Sequence, residues 1–168
     1  MLEVGNLANA TEDRSHFSAW ALASSPLILS FNLSDPARMD RAWPIISNRA
    51  VLAVNQRWAG DPGRRVALDD TGGWQAWAKH LGAASYAVLL LSTGAAPARA
   101  SLPLRNVSAA LAPHGACLRD LYSGEELSPL PPGAPLEAEL PVHDSALYCA
   151  WPSSAQGACD GSAPNDCP

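Results

Sequence analysis

The sequence predicts an α+β chain, with helices before residue 58 and an antiparallel β-sandwich over residues 74–151. Before residue 58, apolar residues recur at the 3.6-residue spacing of a helix face. After residue 74, short apolar or alternating runs are interrupted by Gly, Pro and Asn. This spacing is typical of an antiparallel sandwich and not of alternating strand–helix units.

The first helix is predicted from Phe17, Trp20 and Ala21, which fall on one helical face. Thr11 is the expected N-cap, because a hydroxyl can accept a hydrogen bond from the first turn. We expect Pro26 to end this helix, since proline disfavours the helical conformation in the residue before it.

A short run over residues 27–31 is apolar on both faces and predicts a strand buried on both sides, as in a parallel sheet. Ser34-Asp35-Pro36 then predicts the start of a second helix. Pro44 is expected to interrupt it, and a last helix is predicted over residues 45–56.

Residues 59–73 are rich in Gly, Pro and Asp, and predict a linker that carries one short strand at 65–68. Residues 152–168 are predicted to be a tail with no core of its own. The strands of the sandwich are predicted at 74–78, 86–92, 100–104, 117–122, 136–140 and 146–151.

Composition excludes several functional classes. The 168 residues (17.6 kDa) include 11 basic and 16 acidic side chains, a formal charge of −5, which disfavours a nucleic-acid-binding surface. No apolar run approaches the ~20 residues that span a bilayer, so no membrane span is predicted. The first residues carry no basic start followed by an apolar core, and thus no signal peptide is predicted in this chain.

The cysteines and the glycosylation sequons point to an oxidising compartment. Cys117, Cys149, Cys159 and Cys167 are even in number, so one or two disulfides are expected, with a Cys159–Cys167 loop as one candidate pairing and four free thiols as the alternative. No Cys-x-x-Cys spacing indicates zinc. The candidate glycosylation sites are Asn9, Asn32 and Asn106, although sequons also arise by chance.

The ionisable residues form no pattern that carries chemistry. The histidines lack metal-ligand spacing, and we predict no metal site and no cofactor. The only adjacent carboxylates, Asp69-Asp70 and Glu125-Glu126, lie in predicted turns, where neighbouring side chains point apart. Trp58, Trp74 and Trp77 are predicted to cluster where the helices meet the sandwich, as packing between the two parts, with a platform for sugar stacking as the alternative.

Several segments, in this order, resemble the α-galactosidases of glycoside hydrolase family 27. In the first half these are Met1-Leu-Glu-Val-Gly-Asn6, Arg14-Ser-His-Phe-Ser-Ala-Trp-Ala-Leu22, Ser25-Pro-Leu-Ile-Leu-Ser30, Ile46-Ser-Asn48 and Val51-Leu-Ala-Val-Asn-Gln56. In the second half they are Leu118-Arg-Asp-Leu-Tyr-Ser-Gly124 and Leu140-Pro-Val-His-Asp-Ser-Ala-Leu147.

The resemblance implies that residues 1–58 are the last strand and helices of a (β/α)8 TIM barrel, followed by the antiparallel sandwich. It implies retaining hydrolysis of terminal α-linked galactose from oligosaccharides or glycolipids by two aspartates. Both match positions upstream of this chain, so no catalytic residue is expected here and the chain alone is expected to be inactive. Only Met1 matches a residue of the substrate pocket.

The family also implies a secretory, extracellular, lysosomal or vacuolar location and a homodimer for the full-length protein. Here Leu7-Ala8 replaces the family's Gly-Gly, Asn32 replaces an Asp and Arg57 replaces another. Two alternatives stay open. One is a sister activity, α-N-acetylgalactosaminidase or β-L-arabinopyranosidase; the other is a non-catalytic β-sandwich module that binds carbohydrate or stabilises a barrel.

Overall fold

The structure is a computed structural model that describes residues 1–155, 157–159 and 167–168. Three helices come first, and a β domain follows. The helices are α1 (Ala10–Leu22), α2 (Pro36–Ile46) and α3 (Arg49–Gln56). The strands are β1 (Arg64–Asp69), β2 (Trp74–Gly82), β3 (Ser85–Ser92), β4 (Ala98–Pro103), β5 (Ala116–Asp120), β6 (Glu126–Leu130), β7 (Pro135–Leu140) and β8 (Ser145–Pro152).

Helix α1 begins two residues before the position that the sequence predicts. Asn9, and not Thr11, is the N-cap, and its side-chain oxygen accepts a hydrogen bond of 2.9 Å from the Glu12 amide. Either residue can cap a helix, but Asn9 has the extended backbone that a cap requires. The helix ends at Leu22, one turn before Pro26, so the proline does not set its end.

Helix α2 begins as predicted, with Asp35 as N-cap and Pro36 in the first turn. The predicted interruption at Pro44 is wrong, because the helix continues through it to Ile46. The helical conformation is interrupted instead at Asn48, which has an extended backbone and is the N-cap of α3. Its side-chain oxygen accepts a 3.0 Å hydrogen bond from the Val51 amide.

The predicted strand at 27–31 is reduced to one parallel bridge between Leu2 and Leu29. The Leu2 amide donates to the Ile28 carbonyl at 2.7 Å, and Ile28 itself is 57% exposed. Within the described residues, no further strand pairs with either segment. The expected burial on both sides is therefore wrong for this chain: its apolar residues lack neighbouring strands.

The β domain consists of two antiparallel sheets. Six strands form one sheet in the order β1-β2-β3-β8-β5-β6, and β4 and β7 form the other. All six strands predicted for the sandwich are present, as is the short strand of the linker. Strand β6 was not predicted, because it lies at a sheet edge, is largely exposed and contains Pro129.

The inner strands of the six-stranded sheet are buried on both faces. Alternate residues of β3, such as Val88 and Leu90, pack between the two sheets. Their neighbours Ala87 and Leu89 face a second core, which includes Phe17 of α1. The helices therefore share one hydrophobic core with the sandwich.

The predicted tryptophan cluster does not form. Trp58 is 62% exposed. Trp74 packs in the core between the two sheets, whereas Trp77 packs on the opposite face, towards the helices. Residues 74 and 77 are separated by an odd number of positions on one strand, so their side chains point to opposite faces.

Two disulfides attach the C-terminal tail to the sheet. Cys117 pairs with Cys159 and Cys149 pairs with Cys167, at Cα–Cα distances of 5.7 and 5.8 Å. The candidate Cys159–Cys167 loop is therefore wrong. Cys167 of the tail is 5% exposed and contributes to the core shared with the helices.

Polar side chains hold α1 against the sandwich. Ser18 Oγ lies 2.9 Å from the Tyr122 hydroxyl, and the Ser15 hydroxyl donates to the His143 carbonyl at 2.8 Å. Arg14 forms an ion pair with Asp144 at 2.5 Å. Burial raises the pKa of the Tyr122 hydroxyl to about 12, so that it stays protonated as a hydrogen-bond donor.

Lys79 of β2 is the only lysine in the sequence. Its side chain lies between the sheet and the helices, with 1% of the residue's surface exposed. Its ammonium donates to the Ser24 hydroxyl and the Val54 carbonyl, each at 2.5 Å. Val54 lies in the last turn of α3, where carbonyls lack helical partners and a cation is favourable. Burial lowers the Lys79 pKa to about 8, because the charged form loses its hydration.

We predict that stability rises with pH through the titration of Lys79. Between pH 8 and 10 the unfolded chain keeps a proton on this lysine that the folded chain has released, so unfolding becomes less favourable as pH rises. The free energy of unfolding, measured by urea denaturation, should increase by about 1–3 kcal/mol over this range. The comparison stops at pH 10, the ordinary pKa of tyrosine. Above this pH the unfolded chain loses the Tyr122 proton that the folded chain keeps, so the titration of Tyr122 lowers the free energy of unfolding as pH rises.

Lys79→Met keeps the apolar stem and removes the titrating group, so its stability should be nearly flat between pH 8 and 10. Amine-reactive labelling provides a second measurement: the folded chain should react at its N-terminus and only slowly at Lys79, because the ammonium is enclosed. Equal pH slopes for the wild type and Lys79→Met would contradict this assignment.

We also predict that each disulfide stabilises the fold through the loop it closes. The pairs span 42 and 18 residues, for which chain entropy gives about 4 and 3 kcal/mol. The double variants Cys117→Ala/Cys159→Ala and Cys149→Ala/Cys167→Ala should therefore lose comparable stability in urea denaturation. A loss below about 1 kcal/mol for either pair would show that the tail does not constrain the chain.

Candidate functional site

The region that matches the family's substrate pocket lies around the parallel Leu2–Leu29 bridge. Met1, the predicted pocket residue, is 69% exposed beside this bridge. Leu2 and Leu29 run in the same direction, so the residues that follow each of them meet at one end of the pair. In barrel enzymes this carboxyl-terminal end carries the active site.

Polar side chains connect the two segments at that end. The Asn6 amide nitrogen lies 3.1 Å from both the Glu3 carboxylate and the Ser30 hydroxyl. The Arg38 guanidinium donates to the Asn6 amide oxygen at 2.5 Å. Asn6 thus connects the end of the segment that contains Leu2 to the end of the segment that contains Leu29, and to α2. Sequence reasoning missed this group, because its hydrogen bonds join residues up to 32 positions apart.

A buried carboxylate fixes the turn that precedes Asn6. Asp13 of α1 is fully buried, accepts a 2.8 Å hydrogen bond from the Gly5 amide and forms an ion pair of 2.9 Å with Arg41. Gly5 has a φ of +86°, and a Cβ there would lie 3.0 Å from the Phe31 ring. Only glycine fits this turn without strain.

Three carboxylates near the bridge have structural partners. Asp13 is engaged by Gly5 and Arg41, and Glu3 by Asn6. Asp35 caps α2 and pairs with Arg38 at 3.3 Å. These contacts explain the position of each carboxylate by local structure, and none of them assembles an acid/base pair.

An apolar groove opens beside the bridge. It has a volume of about 430 Å³, and Trp43 stands on its rim with most of its surface exposed. The apolar side chains that line it are Leu2, Phe17, Leu27, Leu29, Ile46 and Leu52. This groove and the polar group around Asn6 are two features of the helical segment that could receive another part of a protein or a ligand.

The candidate glycosylation sites lie on the surface. Asn9, Asn32 and Asn106 are all exposed. Asn9 also caps α1, and the Asn32 side chain accepts a hydrogen bond of 3.0 Å from the Ser34 amide. Their exposure is compatible with modification, which stays a prediction.

The histidines do not converge. The His16 ring nitrogen Nε2 accepts a 3.1 Å hydrogen bond from the Glu3 amide, and burial lowers the pKa of this histidine. His143 contacts Glu12 at 3.1 Å. Over residues 1–155, 157–159 and 167–168, no three His, Cys, Asp or Glu side chains group as metal ligands. None of the described helices is long and apolar enough to cross a membrane.

Comparison with known proteins connects this geometry to a family. Residues 71–150 match the alpha galactosidase C-terminal beta sandwich domain. The curated α-galactosidase of Coffea arabica is 34% identical over 156 residues, which is 90% of this chain and 39% of that protein. The chain spans about a third of the length of the curated relatives that it matches.

Solved structures share the fold of both halves. The crystal structure of α-galactosidase I from Mortierella vinacea superposes with a TM-score of 0.76 at 28% identity, covering 92% of this chain and 39% of that one. A family 27 β-L-arabinopyranosidase from Geobacillus stearothermophilus has the same fold at 22% identity, with a TM-score of 0.75 over 86% of this chain and 31% of that one. The chain belongs to the α-galactosidase type of glycoside hydrolase family 27 and corresponds to the C-terminal part of these proteins.

Proposed function

We propose that residues 1–58 are the C-terminal end of a (β/α)8 catalytic barrel, in a protein that hydrolyses terminal α-linked galactose. The observation that carries the proposal is the parallel Leu2–Leu29 bridge beside an open apolar groove. Barrel strands are parallel and are covered on both faces. The groove is therefore the surface that the remaining strands and helices of a barrel would cover.

The same proposal assigns the rest of the chain. Residues 59–73 form the linker with the first short strand, residues 74–151 form the sandwich and residues 152–168 form the tail. Met1 lies at the substrate pocket. The oxidising location that we propose for the protein is supported by the two disulfides.

In this mechanism the chain shapes the pocket and does not carry out the chemistry. Retaining hydrolysis requires a nucleophilic carboxylate and an acid/base carboxyl about 5 Å apart. The family's aspartates match positions upstream of Met1. The residues around Asn6 would fix the loop at the carboxyl end of the barrel, because Arg38 and Ser30 hold its side chain from two sides.

An α-galactoside is the substrate class that the relatives favour. The relatives between 32% and 36% identical over most of this chain are named α-galactosidases. The β-L-arabinopyranosidase shares only the fold, at 22% identity. The sister activities would differ in pocket residues outside this chain.

A non-catalytic sandwich module is the second candidate. It is favoured by the match of the family model to residues 71–150 alone. Under this alternative the helices serve only to cover one face of the six-stranded sheet. The two candidates differ in whether residues 1–58 can complete a working barrel.

We predict that the 168-residue chain does not hydrolyse a chromogenic α-galactoside. Double displacement needs two positioned carboxylates, and those around the bridge are held in structural contacts. The measurement is release of p-nitrophenol at protein concentrations far above those used for an active enzyme. Turnover that galactose inhibits would show that the catalytic residues have been misplaced.

A chimera tests the barrel assignment directly. The corresponding C-terminal part of the Coffea arabica α-galactosidase is replaced by residues 1–168, and we expect a folded protein with measurable α-galactosidase activity. The matched control carries the same junction with the upstream catalytic aspartates changed to asparagine, and it should be inactive. A folded chimera without activity would favour the sandwich module.

A further inference from the structure

A second cavity lies on the sandwich, away from the groove of the helical segment. It is shallow, with a volume of about 110 Å³, and is formed where the linker enters β1. Its polar lining comes from Asp61, Arg64, His80 and Tyr86, and Val107 contributes to an apolar wall. Pockets for drug-sized ligands have volumes of roughly 300–1,000 Å³, so this smaller cavity fits no more than one small ring.

The register of three strands brings these side chains to one face. Arg64 of β1 lies opposite Ala78 of β2, and His80 lies opposite Tyr86 of β3. Residues 78 and 80 are two apart on one strand, so they share a face. Tyr86 packs against the core between the two sheets, so this face is the one opposite to the helices.

The lining combines an aromatic surface with hydrogen-bonding groups of both charges. The His80 and Tyr86 rings lie 5.2 Å apart at 38°, His80 is exposed and Tyr86 is half-buried. The carboxylate of Asp61 and the guanidinium of Arg64 are exposed, and within the described part of the chain neither has a hydrogen-bond or ion-pair partner. An acceptor and a donor are thus free beside the ring pair.

We propose that this cavity binds a neutral sugar, as a single pyranose ring. The negative face of an aromatic ring attracts the C–H groups of a pyranose. Hydroxyls of the sugar would donate to Asp61 and accept from Arg64, which are charge-assisted hydrogen bonds. One positive and one negative side chain flank the cavity, so neither an anion nor a cation is favoured over a neutral ligand. The site belongs to the sandwich and does not need the barrel.

The test is a titration of the ¹⁵N-labelled 168-residue chain with methyl α-D-galactopyranoside, followed by two-dimensional NMR. We expect saturable shift changes confined to residues around 61–64, 78–80 and 86, with a Kd of about 1–10 mM. Glycerol, a polyol without a ring, should not produce them. No saturable change, changes centred on the groove around Leu2 and Leu29, or the same changes with glycerol would overturn the proposal.

Variants locate the site. Asp61→Asn and Arg64→Gln should each weaken binding about fivefold to tenfold, because each removes a charged hydrogen-bonding partner. Arg99→Gln, an exposed arginine on β4 in the other sheet, is the matched control and should bind like the wild type. Unchanged affinity in both cavity variants would also overturn the proposal. The spectra of the Asp61→Asn and Arg64→Gln variants without sugar should match that of the wild type, which verifies their fold. Sugar binding at this cavity, or its absence, does not bear on catalysis by a completed barrel.

Discussion

Burial of both faces of the inner strands of the six-stranded sheet is the constraint on which the rest of the structure depends. Its helix-facing side includes Leu81, Leu89, Leu121 and Leu147, each almost fully buried. Burying one leucine contributes about 1.5–3 kcal/mol, so these four contribute about 6–12 kcal/mol. A whole domain is stable by only about 5–15 kcal/mol. A sandwich without a cover on this face would lose most of its stability, which explains why the helices and the disulfide-linked tail both pack there.

An apolar interface alone would leave the position of the helices on the sheet loosely defined, because hydrophobic contact is not directional. The polar groups in the interface supply direction. Lys79 meets the end of α3 through the Val54 carbonyl, while Tyr122 and Ser18 hold the side of α1. A shifted helix would separate these groups from their partners, and each group left buried without a hydrogen bond costs about 1–3 kcal/mol. Burial in this position lowers the pKa of Lys79, because the ammonium loses hydration.

Local patterns predicted those elements whose burial is set by their own sequence. The strands of the sandwich follow from alternation, and the start of α2 follows from Asp35-Pro36. Predictions failed where the outcome depends on distant residues. The segment around Leu29 has the composition of a buried strand, but within the described residues only one bridge pairs with it. The tail cysteines pair with Cys117 and Cys149, which are distant in sequence and are brought to one face of the sheet by the pairing of β5 with β8. Strand β6 was missed because an exposed edge has no apolar alternation.

The candidate site, too, was predicted only where local sequence was sufficient. Resemblance placed Met1 near a pocket, but the contacts between Asn6, Arg38 and Ser30 could not be read from spacing, since they join residues from three separate segments. These contacts bear on how a barrel would be completed. A single parallel bridge is a weak structure, because parallel pairs need burial on both faces. Here Leu2 packs in the shared core and Asn6 fixes the ends of both segments before any neighbouring strand is added. If residues 1–58 do close a barrel, the next strand would pair with the edge of the Leu2–Leu29 bridge. The backbone of these two segments is already ordered, so they would lose little further conformational entropy when that strand pairs.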